Sequence, residues 1–70
     1  MRVIENWGVY VDRIVGDLEN GRNILTSRIQ SVVGNVVTTS SGSEYMLGTV
    51  HPEHEKQNPG ALIKLQEQYK

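Results

Sequence analysis

Three short stretches gather side chains able to grip an anion or move a proton. Thr26-Ser27-Arg28 sets two hydroxyls beside a guanidinium. On a strand, alternate residues share a face, so Thr26 and Arg28 are expected to point the same way. Arg28 offers a fork of N–H donors suited to phosphate or carboxylate, with Thr26 and Ser27 adding hydroxyls. Plain cross-strand packing explains the same residues, with Arg28 solvated or paired to Glu44. Thr38-Thr-Ser-Ser-Gly-Ser43 is the densest polar turn. Successive N–H groups in a glycine-containing turn can cradle an anion, and Thr38, Ser41 and Ser43 would add hydroxyls. Turn geometry alone also favours serine and glycine there. The lysine and following helix of an NTPase phosphate loop are missing.

The third stretch is His51-Pro-Glu-His54, followed by Glu55. Two histidines three apart share a helix face, but Pro52 leaves His51 ahead of the helix. Acidic residues at the positive end of a helix explain Glu53 and Glu55 without a ligand. No serine–histidine–acid order and no carboxylate pair in a cleft emerges. No catalytic residue, metal or cofactor is therefore assigned, and the chain is expected not to be an enzyme. Trp7 is the single tryptophan. On a surface it would stack on a base or anchor a partner; in so small a protein, packing is favoured. Tyr10 and Tyr45 can each bury a ring and expose a hydroxyl. Arg13 and Arg22 complete the guanidiniums available to an anion.

These residues need elements to hold them. Valine takes nine positions and isoleucine five, with no phenylalanine, which favours strands. Trp7–Leu18 is the first long candidate. Val9 and Val11 share one face and Tyr10 and Ile14 the other, so the phase changes near Asp12-Arg13 and predicts a bulge or sharp bend. Asn20-Gly21 is a hairpin signal. A second strand is predicted over Asn23–Val33, a third over Val36–Ser40 and a fourth over Ser43–Leu47, separated by Gly34-Asn35 and Ser41-Gly42. Pro52 opens a short helix, Asn58-Pro59-Gly60 breaks it, and Ala61–Tyr69 forms another, with Leu62, Leu65 and Tyr69 on one face. The expected fold is α+β, mainly β. It is a small antiparallel meander or half-barrel of about four strands with one or two short C-terminal helices. Residues 1–70 form one domain, with the meander over 1–50 and the helical segment over 51–70.

Seventy residues without cysteine exclude disulfides and thiolate chemistry. A core of this size supplies about 3–5 kcal/mol unaided, so a homo-oligomer is expected. A net charge of −1 gives no long-range pull on nucleic acid or anionic membrane. All four arginines precede His51 and all three lysines follow it. Apolar runs stop at three residues, so no membrane partner is expected and a cytoplasmic location is.

Ile4-Glu-Asn-Trp7, Ile24-Leu-Thr-Ser-Arg-Ile29 and Val36-Val-Thr-Thr-Ser-Ser-Gly-Ser-Glu-Tyr-Met-Leu-Gly48 form a distinctive combination. It resembles a family of small phage and prophage proteins with a leading tryptophan, a TS-x-I element and a T-x-SGS-x-Y-x-LG element. A looser resemblance, over the first 48 residues, is to the SANTA domain of centromere-associated proteins, without that domain's C-terminal part. The first implies a small accessory protein that blocks host immunity by binding. The second implies a protein-interaction module. The leading expectation is a sponge: a cytoplasmic homo-oligomer that sequesters a cyclic or linear nucleotide signal between subunits. Arg28, Arg13 or Arg22 would neutralise phosphate, Thr26, Ser27, Thr38, Ser41 and Ser43 would donate, and Trp7 or Tyr45 would stack on the base. The alternative is a direct inhibitor of a host defence effector, for example of anti-CRISPR type, anchored by Trp7, Tyr10 or the C-terminal helix.

Overall fold

The computed structural model describes residues 2–69. Five strands, β1 (Arg2–Tyr10), β2 (Arg13–Leu18), β3 (Asn23–Val33), β4 (Val36–Thr39) and β5 (Glu44–Leu47), precede two helices, α1 (Pro52–Gln57) and α2 (Ala61–Gln68). Each strand pairs antiparallel with the next. The ring then closes through a parallel pairing of β1 with β5, Arg2 opposite Tyr45 and Ile4 opposite Leu47. The mainly-β meander and both helices match the sequence reading. The strand count is five rather than four, and the barrel is closed rather than half-open.

The extra strand comes from the segment Trp7–Leu18. The expected bend at Asp12 is a complete reversal. Tyr10 pairs with Arg13, leaving Val11 and Asp12 as a two-residue link. Such links favour a positive φ at their first central position, normally taken by glycine or asparagine. Here Val11 takes it, at φ 59°. A β-branched residue in that region is strained by about 1–2 kcal/mol, and its side chain is 82% exposed, so packing returns nothing. Val11→Gly is therefore expected to stabilise the protein by about 1 kcal/mol, raising Tm by about 4–8 °C. Calorimetry of the two proteins checks this; an unchanged or lower Tm would show that the link is not strained.

Two irregularities shape the β1–β2–β3 side of the barrel. In β1 the register shifts between Glu5 and Gly8, with Asn6 at φ 50°, so Trp7 turns inward. The bulge crowds β2. A Cβ on Gly16 would collide with the Ile4 side chain and lie 2.9 Å from the Glu5 carbonyl oxygen and 3.1 Å from Trp7 Cα. Only glycine lets the strands approach this closely. In β3 the register shifts between the Arg13–Arg28 and Val15–Leu25 pairs. Three residues of β3 span two of β2, and the inward set becomes Thr26, Ile29 and Val32.

The core joins Ile4, Trp7, Ile14, Leu18, Ile29, Val32, Val37 and Leu47 from the barrel with Ala61 and Leu65 from α2. Leu62 and Tyr69 pack against it, as the predicted helical stripe requires. The Tyr69 carbonyl accepts from Val32 N–H at 2.9 Å, and Gln66 Nε2 donates to the Gly34 carbonyl at 2.6 Å. Together they fasten the end of α2 to β3 and the β3–β4 turn. Among the described residues, no helix is long and apolar enough to cross a membrane.

Candidate functional site

The structure redistributes the residues singled out in the sequence. Trp7 is 1% exposed and its Nε1 donates to the Gly48 carbonyl at 3.0 Å. It is a core residue, which corrects its proposed role as a base-stacking platform or partner anchor. Thr26 is buried as well. Its Oγ1 accepts from Ile14 N–H at 3.0 Å and donates to the Ser27 carbonyl at 2.8 Å. The expectation that Thr26 and Arg28 share a face is overturned: the irregularity in β3 sends Thr26 inward and Arg28 outward. Ser27 sits half-buried at that irregularity.

The polar turn is closed on itself. Thr39 Oγ1 and Ser41 Oγ lie 3.0 Å apart, Ser41 Oγ donates to Ser43 Oγ at 3.3 Å, and Gly42 N–H goes to the Thr39 carbonyl at 2.9 Å. The hydroxyls of Ser41 and Ser43 thus bond within the turn rather than form an open cradle. Thr38 is half-buried on β4, opposite Ser31 and Glu44. Tyr45 packs against the core beside Arg2, at the opposite end of β1 from Tyr10. Arg22 lies in the β2–β3 turn, at the other end of β2 from Arg13. The histidines have structural tasks. His51 Nδ1 accepts from Glu53 N–H at 3.1 Å and caps α1. His54 packs over Gly8, its ring 6.2 Å from that of Trp7.

Two of the candidate arginines do meet. Tyr10 pairs with Arg13 across β1–β2, and Arg13 pairs with Arg28 across β2–β3. Directly opposed residues carry their Cβ atoms on one face about 4.5–5.5 Å apart. The three side chains therefore form one exposed row, a ledge at the Val11 end of the barrel. Tyr10 is 65% exposed and the Arg28 side chain 72%. Arg28 Nε bonds Asp12 Oδ2 at 3.1 Å, so its partner is Asp12 and not Glu44. The polar turn borders the ledge: Ser40 N–H donates to the Arg28 carbonyl at 2.8 Å. Opposed like charges are destabilising in a sheet, and the Asp12 carboxylate is bonded to Arg28 of this pair. The ledge therefore retains capacity for a further anion.

The same outer face continues along β2 through Val15 to Asp17, since Ile14 and Leu18 point inward. An open groove of about 650 Å³ lies there. Val15, Gly16, Ile24 and Leu25 supply its apolar lining, Asn6, Asp17 and Asn23 its polar end, and His51 also borders it. The groove was not legible in the sequence, because Asn6 and Asn23 are 17 positions apart in the chain and meet only through the β1–β2–β3 register.

No family model matches the chain, and no curated protein or solved structure matches it either.

Proposed function

We propose that the protein is a non-catalytic binding protein for a phosphate-bearing, nucleotide-type molecule, held on the Tyr10–Arg13–Arg28 ledge. The observation that carries the reading is the cross-strand row itself, an exposed aromatic ring followed by two guanidiniums on neighbouring strands. Guanidiniums bind phosphate oxygens through paired N–H donors. A tyrosine ring beside them offers a base a stacking surface worth about 1–3 kcal/mol. Tyr10 takes over the stacking part that the sequence assigned to Trp7 or Tyr45. The ledge is open to solvent, whereas tight retention of a small ligand needs most of its surface covered. A second copy of the chain would supply that cover, and the exposed apolar side chains of Val11 and Leu25 beside the ledge give such a copy something to bury. This keeps the homo-oligomeric sponge, acting on a nucleotide-derived signal, as the role that fits the phage-type resemblance.

The test is thermal unfolding against a panel of mononucleotides and cyclic nucleotides, with native mass spectrometry for stoichiometry and retained ligand. A bound nucleotide at one hundred times its Kd should stabilise the fold by about 2.7 kcal/mol. Arg13→Ala and Arg28→Ala should each weaken binding about tenfold or more, because each removes charge-assisted bonds worth about 1.5–3 kcal/mol, while the fold persists. A panel without any shift, together with a co-purifying host protein, would replace this reading by direct inhibition of a defence effector.

A further inference from the structure

The groove beyond the ledge ends in one carboxylate held by two carboxamides. Asn23 Nδ2 donates to Asp17 Oδ1 at 2.8 Å, and Asn6 Nδ2 donates to Asp17 Oδ2 at 3.4 Å. One amide grips each oxygen from either side, which fixes the carboxylate plane. The register makes this possible: Asp17 lies opposite Asn23 on one side and Glu5, next to Asn6, on the other. A carboxylate oxygen has two acceptor sites. Each oxygen of Asp17 therefore keeps one site for a ligand, and the pair forms a fixed acceptor–acceptor edge at the end of an apolar groove.

We infer that this edge selects the base of the nucleotide, favouring a guanine, whose N1–H and exocyclic amino group present two adjacent donors. The inference rests on the reading of the ledge as a phosphate site, and it lays the base along the groove over Val15 and Leu25 instead of on the Tyr10 ring. Three observations carry it. First, Arg13, Val15 and Asp17 lie on the same face of β2. Four steps along the strand take the chain from Arg13 to Asp17, about 13 Å at 3.3 Å per residue. The long Arg13 side chain can take up part of that span, leaving a length that an extended nucleotide covers from phosphate to base edge. Second, the surface between them is apolar, with Val15 opposite Leu25, and Leu25 is 55% exposed; this is a floor for a base and not for a second charge. Third, the polarity is ordered: cationic at the ledge, apolar in the middle, anionic at the far end. A plain phosphate ion or a polyanion would use the first part and be repelled by the last. Adenine presents an acceptor at N1 where guanine presents a donor, so it would set a lone pair against Asp17.

The experiment is a binding series with guanosine monophosphate, inosine monophosphate, adenosine monophosphate and inorganic phosphate, on the parent protein and on Asp17→Asn. In the parent protein, the guanine nucleotide should bind at least about tenfold more tightly than the adenine one, the discrimination expected of one good bidentate pair. Inosine monophosphate, which lacks the exocyclic amino group, should fall between them. In Asp17→Asn the guanine preference should collapse while phosphate binding stays. The comparison of ligands on the parent protein stands even where the variant folds poorly. Equal affinity for guanine and adenine nucleotides, with binding still lost in Arg28→Ala, overturns the base-selecting role and leaves the ledge intact. Retention of the guanine preference in a folded Asp17→Asn protein overturns it as well. Absence of binding by all four probes overturns both the ledge and the groove.

Discussion

Trp7→Ala is expected to leave no cooperative folded state at room temperature. The side chain is the largest of those wholly buried and joins residues of all five strands and α2 in one cluster. Removing so large a buried side chain costs about 3–5 kcal/mol, the lost transfer energy and the cavity together. A core of this size supplies about that much in total. The change also strands the Gly48 carbonyl, which accepts from Nε1 at 3.0 Å. Urea titration by circular dichroism is the measurement. Trp7→Phe separates the two contributions: it keeps most of the ring and drops the hydrogen bond, so it should lose about 1–3 kcal/mol and still unfold cooperatively. A Trp7→Ala protein with a midpoint near that of the parent would show that the ring is not the keystone of the core. Any loss of ligand or partner in Trp7→Ala then reports unfolding, so Trp7 is unsuitable for probing the binding surface.

Thr26→Val is the second large effect. Valine matches threonine in shape, so the packing is retained and only the hydroxyl is lost. That hydroxyl serves the one place where β2 and β3 fall out of register. It receives the Ile14 N–H, which the shifted β3 backbone does not meet, and supplies the Ser27 carbonyl. Ile14 is fully buried, so no water replaces the lost acceptor. An orphaned buried donor costs about 1–3 kcal/mol, and the Ser27 carbonyl adds to this. The expected result is a fall in Tm of about 10–20 °C at about 4–8 °C per kcal/mol. Thr26→Ser should lose only the methyl contact and stay within a few degrees of the parent. Equal effects from valine and serine would show that Thr26 acts through its methyl group and not its hydroxyl.

These two residues mark where the chain was legible and where it was not. The strand Asn23–Val33, the turns at Asn20-Gly21, Gly34-Asn35 and Ser41-Gly42, and the stripe of Leu62, Leu65 and Tyr69 each appear where the residues placed them. The missing strand was hidden by Val11-Asp12. Nothing in that dipeptide announces a reversal, because the position that wants glycine carries a valine held there by the pairing on both sides. Thr26 was misplaced for a related reason. Strict alternation sends it outward with Arg28, and one extra residue in β3 reverses it. A bulge has no composition of its own; it is set by the neighbouring strand. Of the site, the arginines were visible as residue types, but their meeting with Tyr10 depends on pairings between strands. The Asp17 edge could not have been found by spacing at all, since its two amides come from different strands.

The parallel seam between β1 and β5 has a further consequence for how copies of this protein can meet. In the ring every strand has a neighbour on both sides over at least part of its length, which shortens the row of unpaired amides through which small β proteins commonly add a foreign strand. In the proposed homo-oligomer, contact would run mainly through side chains on the outer wall, where Tyr10, Val11 and Leu25 stand beside the ledge. It would obey shape and rotational symmetry rather than propagate as a ribbon. A dimer built that way stays finite, and crowding the protein to high concentration should give discrete particles and not fibres.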